Sequence, residues 1–424
     1  MQRDKLPINN PYIHRVVINV CASSEDAVAH RDAAFAVYND LVQALSGMSN
    51  SLKNRVDETV YSALIKISAK AKDYDRCIEL LDKMSSDRVE PRLRTFSPLL
   101  VSYCSEGNLE KALWVRERLK HHAIELTEPE YVALFDACVA TASSSDFYLL
   151  LEEYIDVIPQ PTMAAWEVFK RWFASDGSRV DGRGWKWSVG TVDQKGVSSV
   201  SGDQLESMEL PEAEETALLD KIVGLVRTDD KRIEQWAEFT EWLTANGPFD
   251  IIIDAANVGF FNRNFEGGGF SYRQIQLMLE HYEKQDKKVL IVLHKRRTYD
   301  DQVPEDFRPV LASWKERNIM YNCRSGNNDD WYWLYAAVKL GGRTLVVTND
   351  EMRDHHFQMI HNRSFGRWKE RHQVHYSIHN EKHVKVQEPR VYSARPQRIG
   401  ANWHFPLAES SEWLCFQLET ATSA

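Results

Sequence analysis

The apolar positions between residues 59 and 140 recur with a fixed period. An aromatic residue opens one amphipathic pattern in each of three units, at Tyr61, Phe96 and Tyr131, and both steps are 35 residues long. Each unit is predicted to form two helices separated by a polar turn. A pair of short helices cannot bury its apolar face alone, so the units are expected to stack as a solenoid. An earlier, longer unit is predicted at 12–46.

The segment from 166 to 248 has a different composition. The stretch DGSRVDGRGWKWSVG is rich in glycine, tryptophan and serine, which predicts short strands and turns. An acidic stretch then leads into the helical pattern KRIEQWAEFTEWLTANG, which ends at Gly247-Pro248. We interpret 166–248 as a small connector that residues 385–424 complete.

Strands alternate with helices from residue 249 to 384. FDIIID, KKVLIVLH and RTLVVT are typical of buried strands, and SYRQIQLMLEHYEKQ and DDWYWLYAAVKL are typical of helices. This alternation predicts a parallel sheet with helices on both faces. The predicted fold is therefore a multidomain α + α/β chain: a helical-repeat domain in 1–165, the β-containing connector in 166–248 and an α/β parallel-sheet domain in 249–384.

Four aspartates are expected at one edge of this sheet. Asp254 directly follows a buried strand, Asp350 follows another, and Asp329 and Asp330 open a helix. Sites in parallel sheets form at the carboxyl ends of the strands. Carboxylates packed together repel one another, and a divalent cation removes that repulsion. Each aspartate has a structural alternative, as a cap or a favourable charge at a helix N-terminus, but this does not explain why all four converge.

The net charge of −10 argues against a nucleic-acid partner, but the charge is unevenly placed. Residues 203–215 hold six carboxylates and no base, whereas 353–375 hold five Lys/Arg against two acids. Local charge can therefore support RNA binding. No apolar run approaches the about 18 residues that a membrane helix needs.

The repeat pattern resembles the pentatricopeptide repeat, an RNA-binding module. The resemblance rests on the 35-residue period, the opening aromatic residue and Pro91 just before the next unit. In that family the residue after the opening aromatic helps to read a base. The corresponding residues here are poorly suited to a sequence code: Ser62, Ser97 and Val132. We therefore expect recognition of RNA shape and backbone. A protein-binding solenoid is the alternative.

Five motifs in the same order resemble protein-only RNase P: DAANVG from 254, LHKRR from 293, NNDDWYWLYAA from 327, TNDEMRDH from 348 and RWKERHQV from 367. That family joins pentatricopeptide repeats to a NYN/PIN-like metallonuclease domain and removes the 5′ leader from precursor tRNA. The resemblance implies Mg²⁺ as the cofactor, with Mn²⁺ as a substitute. It also implies the catalytic, metal-binding residues: Asp254, Asp329, Asp330 and Asp350.

Further charged side chains are candidates for the same cleft. Asp354 lies one helical turn past Asp350 and is expected to support the metal ligands without binding the ion directly. Five cationic residues are candidate phosphate contacts: Lys295, Arg296, Arg297, Arg353 and Arg367. The alternative for these five is an ordinary solvated charge with no partner.

The structural zinc site of the family is incomplete in this sequence. In the family a CxxC pair in the connector joins a late His and Cys, and the late pair is present as His404 and Cys415. Ser198 and Ser201 stand at the two cysteine positions. Serine is not a usual zinc ligand, and two ligands cannot complete a tetrahedral site. We therefore expect no structural zinc.

Together these patterns predict a metal-dependent endoribonuclease that acts on precursor tRNA as a single polypeptide. We expect a monomer with no obligate protein subunit and no membrane association. The aspartate set and the WYWLYAA motif favour the plant and protist members of the family, which act alone. No transit peptide is visible, which favours the nucleus over the mitochondrion. Two alternatives stay open: a NYN-type endonuclease on other structured RNA, and a non-catalytic RNA-binding scaffold.

Overall fold

The computed structural model describes residues 10–46, 55–207, 209–226, 230–263, 268–324, 329–352 and 363–420. The chain divides into two compact units. The first comprises the chain up to Asp193, Val197–Asp203 and the chain from Ala394. The second comprises Gln194–Gly196 and Gln204–Ser393. In the parts that the structure describes, no helix combines the length and apolar character of a membrane span.

Paired helices make up most of the first unit: α1 (Pro11–Ser23), α2 (Arg31–Ser46), α3 (Glu58–Lys70), α4 (Tyr74–Ser86), α5 (Leu93–Ser105), α6 (Leu109–His121), α7 (Glu128–Thr141), α8 (Ser144–Val157) and α9 (Met163–Ala174). Side-chain caps begin several of them, for example Asp57 on the backbone N–H of Val60. The first helices of successive pairs pack side by side, from α1 to α9. The predicted helical repeat array is therefore confirmed.

The opening aromatic residues and their neighbours hold successive repeats together. Their rings are buried, at Tyr61, Phe96 and Tyr131. The next residue in each of the first two units bonds to the following repeat: Ser62 Oγ lies 2.9 Å from Thr95 Oγ1, and Ser97 Oγ donates to Glu130 Oε1 at 2.5 Å. Two of the three positions that resemble base-reading residues are thus engaged in hydrogen bonds within the array.

A four-stranded antiparallel sheet completes the first unit. Its strands are β1 (Trp185–Thr191), β8 (Gln397–Ile399), β9 (Asn402–Pro406) and β10 (Glu412–Leu418), in the order β1-β10-β9-β8. Aromatic residues of this sheet pack on α9, with ring centroids 4.5 Å apart for Phe169 and Phe405 and 4.1 Å apart for Phe173 and Phe416. The strands that the connector composition predicts are therefore anchored on the last helix of the array.

A six-stranded sheet is the centre of the second unit. Its strands are β2 (Ile251–Asp254), β3 (Val289–His294), β4 (Met320–Cys323), β5 (Leu345–Val347), β6 (Gln373–His379) and β7 (His383–Gln387), in the order β4-β3-β2-β5-β6-β7. The five strands from β4 to β6 are parallel, as predicted. The sheet is mixed because β7 returns antiparallel to β6. Asn380 and Glu381 adopt positive φ in the tight turn between them, which the helix–strand alternation did not predict.

Helices cover both faces of this sheet: α10 (Glu212–Val226), α11 (Asp230–Asn246), α12 (Ala255–Phe260), α13 (Tyr272–Glu283), α14 (Arg308–Glu316), α15 (Asp329–Leu340) and α16 (Arg363–His372). Alternate strand residues enter opposite cores. Ile252 packs with side chains of α10, α11 and α15, whereas Ile251 and Ile253 pack with those of α12 and α13. The β2 strand is thus apolar on both faces, as a central parallel strand requires.

The predicted connector contributes to both units. Its strand β1 belongs to the first unit, whereas α10 and α11 bury Leu218, Trp236 and Phe239 in the core of the second. The division into two compact units therefore differs from the three domains that composition suggests. The predicted boundaries near 165, 248 and 384 stay a prediction for independently folding domains.

The bond between Glu130 and the preceding repeat gives a prediction for stability. Glu130 is buried and also accepts bonds from the backbone N and Oγ1 of Thr127, which form a capping box at the start of α7. Glu130→Ala should lower the free energy of unfolding by about 1–3 kcal/mol, because it removes the capping box and leaves the half-buried Ser97 hydroxyl without its acceptor. Urea denaturation followed by circular dichroism measures this. Glu90→Ala, in an exposed loop, is the control, and an equal loss in both variants would contradict the role of Glu130.

Candidate active site

Asp254 is a buried carboxylate at the carboxyl end of the central strand β2. It caps α12, since its Oδ1 accepts from the backbone N of Asn257 at 3.0 Å. Its Oδ2 accepts from Thr348 Oγ1 at 2.9 Å. Burial, followed by the charge of Asp330, raises the pKa of Asp254 well above its ordinary value. The side chain is therefore held in a place where its own negative charge is unfavourable.

Asp329 and Asp330 approach this carboxylate from the start of α15. Both are half-buried, and both act to raise the pKa of Asp254. They also help burial to raise the pKa of the Cys323 thiol at the end of β4. Trp333 Nε1 donates to Asp330 Oδ1 at 3.3 Å, which fixes one of the two carboxylates on its helix. The structure thus brings three of the four predicted aspartates into one electrostatic field.

Asp350 joins the same edge through the neighbouring strand. Residues Ile253 and Val347 are partners in the parallel pair β2–β5, so the residues that follow both strands lie side by side. The Thr348 hydroxyl connects the two carboxylate positions, because it donates to Asp254 Oδ2 and accepts from the backbone N of Asp350 at 3.0 Å. Asp350 Oδ1 accepts from the backbone N of Met352 at 2.7 Å.

The donor set fits a hard divalent cation. Carboxylate oxygens are the ligands that Mg²⁺ prefers, and a cation would reverse the electrostatic penalty at Asp254. Within the residue ranges given above, no three His, Cys, Asp or Glu side chains are already arranged to hold a metal ion. Asp354 lies outside the described residues, as does Arg353. The metal-binding roles of the aspartates therefore stay a prediction that the electrostatics of Asp254 supports.

Three of the predicted phosphate contacts lie on one turn beside the carboxylates. Lys295, Arg296 and Arg297 form the short 3-10 helix Lys295–Thr298 directly after β3, the strand next to β2. Lys295 and Arg296 are exposed. Burial and Arg296 lower the pKa of Arg297, whereas the charge of Asp329 acts in the opposite direction. This turn can therefore present positive charge to a phosphate near the aspartates.

Arg367, another of the predicted phosphate contacts, lies on a different element from the Lys295–Thr298 turn. It is half-buried on α16, which packs against α10 and β5. Its predicted contact with RNA stays a prediction.

Polar residues inside the motifs position the site, although sequence reasoning did not single them out. Asn257 Oδ1 accepts from the backbone N of Asn349 at 2.9 Å and from the Tyr376 hydroxyl at 2.7 Å. The Gln373 amide donates to the backbone carbonyls of Thr348 and Asp350, both at 2.9 Å. These bonds tie the residues that follow β2 and β5 to the start of β6. Their signal in the sequence was their place within the DAANVG, TNDEMRDH and RWKERHQV motifs.

His294 is a second side chain that the sequence analysis missed. It is the last residue of β3, and its Nδ1 accepts from the backbone N of Arg296 at 3.1 Å. Burial lowers the pKa of His294, against the opposing influence of Asp329. Because Nδ1 accepts this bond, the neutral imidazole carries its proton on Nε2, where it is available to donate.

The predicted place of the zinc site holds a hydrogen-bonded cluster. Across β9 and β10, His404 pairs in register with Cys415. His404 Nε2 donates to Asp203 Oδ2 at 3.1 Å, and Asn402 Nδ2 donates to the same atom at 2.8 Å. Burial raises the pKa of the Cys415 thiol to about 11, although a bond with Ser201 lowers it.

The two serines serve the local backbone in this cluster. Ser198 is buried, and its Oγ accepts from the backbone N of Val200 at 3.3 Å and of Ser201 at 3.4 Å. Asp203, which the sequence analysis did not consider, bonds to His404 and its charge acts on Cys415. These side chains do not reproduce a tetrahedral set of thiolate and imidazole ligands. The expected lack of a structural zinc stays a prediction.

Two models of known protein families together match almost the whole chain. The family model "Pentacotripeptide-repeat region of PRORP" matches residues 1–180, and the family model "Protein-only RNase P" matches residues 192–420. Proteinaceous RNase P 2 of Arabidopsis thaliana is 32% identical over 379 residues, which are 78% of this chain and 71% of the relative. Proteinaceous RNase P 1, chloroplastic/mitochondrial, of the same plant is 27% identical over 95% of this chain and 76% of the relative.

The fold gives the same result. The crystal structure of nuclear proteinaceous RNase P 2 from A. thaliana superimposes with a TM-score of 0.76 and 28% sequence identity, over 96% of this chain and 91% of that one. The match includes the helical repeats and the α/β unit with its mixed sheet. The chain therefore belongs to the protein-only RNase P family.

Proposed function

We propose that this chain is a metal-dependent endoribonuclease that removes the 5′ leader of precursor tRNA as a single polypeptide. The observation that carries the proposal is the buried Asp254, whose pKa the neighbouring Asp330 and Asp329 raise at the carboxyl edge of a parallel sheet. A divalent cation at this edge would relieve the repulsion among the carboxylates, and nucleases use such cations on phosphodiesters. The family relationship supplies the class of RNA.

Asp254, Asp329, Asp330 and Asp350 are the residues that would hold the metal. When bound, Mg²⁺ supplies Lewis-acid activation of the scissile phosphate and of the water that attacks it. The sheet supplies rigidity: Asp254 is fixed by two hydrogen bonds and Asp350 by its bonds to Thr348 and Met352. Fixed ligands lose little freedom when the transition state forms. Mn²⁺ has similar ligand preferences and is expected to substitute.

Neighbouring side chains would orient the RNA for hydrolysis. Lys295 and Arg296 are exposed beside the carboxylates and can neutralise phosphate charge. Neutral His294, whose Nε2 carries its proton, can donate a hydrogen bond to a phosphate or leaving oxygen. No side chain needs to act as a covalent nucleophile. Hydrolysis leaves a 5′-phosphate on the mature tRNA and a 3′-hydroxyl on the leader.

The helical repeats would recognise the folded tRNA by shape. Ser62 and Ser97 are bonded to adjacent repeats, so they are poorly placed to read bases. A rigid array that contacts backbone instead selects RNA by its three-dimensional form. This supports a structured substrate over an unstructured one.

The compartment and assembly state are also proposals. Relatives include a nuclear enzyme and a chloroplastic/mitochondrial one. We propose a nuclear location because the nuclear relative matches 96% of this chain. We also propose that the chain acts as a monomer, as expected from the motifs that it shares with members of the family that act alone.

Cleavage of precursor tRNA by the purified chain tests the proposed function. With Mg²⁺ we expect a single cut that leaves the 5′-phosphate of mature tRNA, and with EDTA we expect none, because the carboxylates cannot act without a cation. An unstructured RNA of the same length and composition is the control. Equal cleavage of both RNAs would contradict selection of a structured tRNA and favour a nuclease that accepts RNA without regard to its fold, and no cleavage of either would favour a non-catalytic scaffold.

Asp254→Asn should separate activity from stability. The amide keeps an oxygen for the backbone N of Asn257 and an NH₂ group for the Thr348 hydroxyl, but it removes a buried charge. In EDTA we expect the melting temperature to rise by about 2–4 °C, the shift that about 1 kcal/mol gives in a unit of this size. Cleavage should fall on the order of 100- to 1,000-fold, because electrostatic stabilisation of the transition state is lost.

The control for this variant is Asp220→Asn, on the exposed face of α10. Asp220→Asn should change neither the melting temperature in EDTA nor the rate of cleavage. An Asp254→Asn variant that cleaves precursor tRNA at the normal rate would show that Asp254 holds no catalytic metal.

The cluster around His404 predicts a protein without structural zinc. Elemental analysis of the purified chain should find no stoichiometric zinc. A zinc-selective chelator in the presence of Mg²⁺ should leave its melting temperature unchanged, because a true zinc site contributes its binding free energy to folding. The double variant Ser198→Cys, Ser201→Cys restores the four-ligand pattern and should gain zinc. One zinc per wild-type chain would contradict the prediction and implicate another ligand, with Asp203 the first candidate.

A further inference from the structure

An exposed aromatic ring lies at the end of the helix that Asp254 begins. Phe260 is the last residue of α12 and is 43% exposed. A single exposed apolar side chain is ordinary on a protein surface. This one differs because a cation lies over its ring and the catalytic edge lies at the other end of the same short helix.

Arg297 stacks on two aromatic rings at once. Its Cζ is 4.9 Å from the ring centroid of Phe260 and 4.9 Å from that of Phe270. The two rings meet edge to face, with centroids 5.1 Å apart and an interplanar angle of 75°. The guanidinium therefore lies against both rings, and the Phe260 side chain stays partly open to solvent.

Phe260, Phe270 and Arg297, which we call the platform, are held in place by hydrogen bonds and close packing before any RNA binds. The Tyr272 hydroxyl donates to the backbone carbonyl of Arg297 at 2.6 Å, which anchors the turn that carries the guanidinium. Gly259 allows Phe270 to approach closely, since a Cβ there would lie 2.3 Å from the Phe270 ring. The backbone N of Ser271 donates to the carbonyl of Gly259 at 2.9 Å. The side chains of Phe260, Phe270, Tyr272 and Arg297 thus form one packed group.

The platform lies close to the carboxylates. α12 spans six residues, or about 9 Å, from its cap at Asp254 to Phe260. The charge of Asp329 also acts on Arg297, so the guanidinium lies within the electrostatic field of the aspartates. A strand of RNA with its scissile phosphate at the aspartates would carry an adjoining nucleotide past this ring.

We propose that Phe260 and Arg297 form a stacking subsite for an unpaired nucleobase of the leader, next to the scissile phosphate. This inference rests on the proposed function. An aromatic face paired with an arginine is a combination that binds single-stranded nucleotides, the ring stacking on the base and the cation attracting the backbone. A base inside a duplex is stacked on its neighbours and unavailable, so the occupant comes from the single-stranded leader.

Single-turnover cleavage with altered leaders tests the subsite. The substrates are a normal precursor tRNA and a series with an abasic nucleotide at each of the first three leader positions. For the wild-type chain, one abasic position should lower kcat/KM by about 5- to 150-fold, the range expected for one stacked base. Phe260→Ala should show the same loss on the normal substrate and little further loss on that abasic one. Phe260→Trp should retain the response to the base.

Controls separate stacking from a merely structural role. Phe260→Leu keeps apolar packing against Phe270 without an aromatic face, so it should behave as Phe260→Ala while keeping the wild-type melting temperature and Mg²⁺ dependence. Tyr299→Ala removes another exposed ring, in the region that follows β3, and should keep the response to the abasic position.

Two results would overturn the subsite. One is an equal loss for Phe260→Ala on normal and abasic substrates, which would mean that the ring only supports α12. The other is a wild-type chain that cleaves precursor tRNA without any sensitivity to leader bases. Failure of the wild-type chain to cleave precursor tRNA at all would instead contradict the proposed function itself.

Discussion

A buried carboxylate surrounded by like charge is the constraint on which the second unit depends. Asp254 lies at the end of a strand that is apolar on both faces, so water cannot screen it. Two hydrogen bonds, from the backbone N of Asn257 and from Thr348 Oγ1, hold it there, while Asp330 and Asp329 oppose its ionisation. A site of this kind is unfavourable alone and favourable with a cation. Packing elsewhere in the sheet has to keep the carboxylates close despite their repulsion.

The parallel sheet meets this requirement through its register. The pairing of Ile253 with Val347 sets the residues after β2 and β5 side by side, and the Thr348 hydroxyl then joins them. Further along, the bond from the Tyr376 hydroxyl to Asn257 ties β6 to the start of α12. Because the strands are buried on both faces, a slip in register would move apolar side chains out of two cores at once. The geometry of the carboxylates is therefore fixed by the hydrophobic cores beneath them.

The sequence predicts those parts of the structure that depend on local pattern. The 35-residue repeat and the alternation of strands and helices identify both units, and the ends of strands locate Asp254 and Asp350. The network of Asn257, Asn349 and Tyr376 could not be predicted, because its bonds join residues 92 and 119 positions apart and exist only in one register. The same holds for α11, whose Trp236 packs in a core with residues of the sheet rather than in the predicted connector. Asp203 next to His404 was equally hidden, since no spacing rule links them.

The side chains of the repeats and those beside the aspartates are suited to recognising different features of an RNA. In the repeats, the hydroxyls of Ser62 and Ser97 form hydrogen bonds with adjacent repeats, and Val132 packs on the core of the array. These bonds stiffen the array and leave its hydroxyls little freedom to discriminate among bases. Any dependence on base identity must then arise where RNA is unpaired and a side chain is free to meet it. The edge near the carboxylates offers such a side chain, because Phe260 is exposed there and Arg297 lies against its ring. The proposed subsite requires an unpaired base at the same place. Shape would thus select the RNA, and contacts beside the aspartates would adjust the position of the cut.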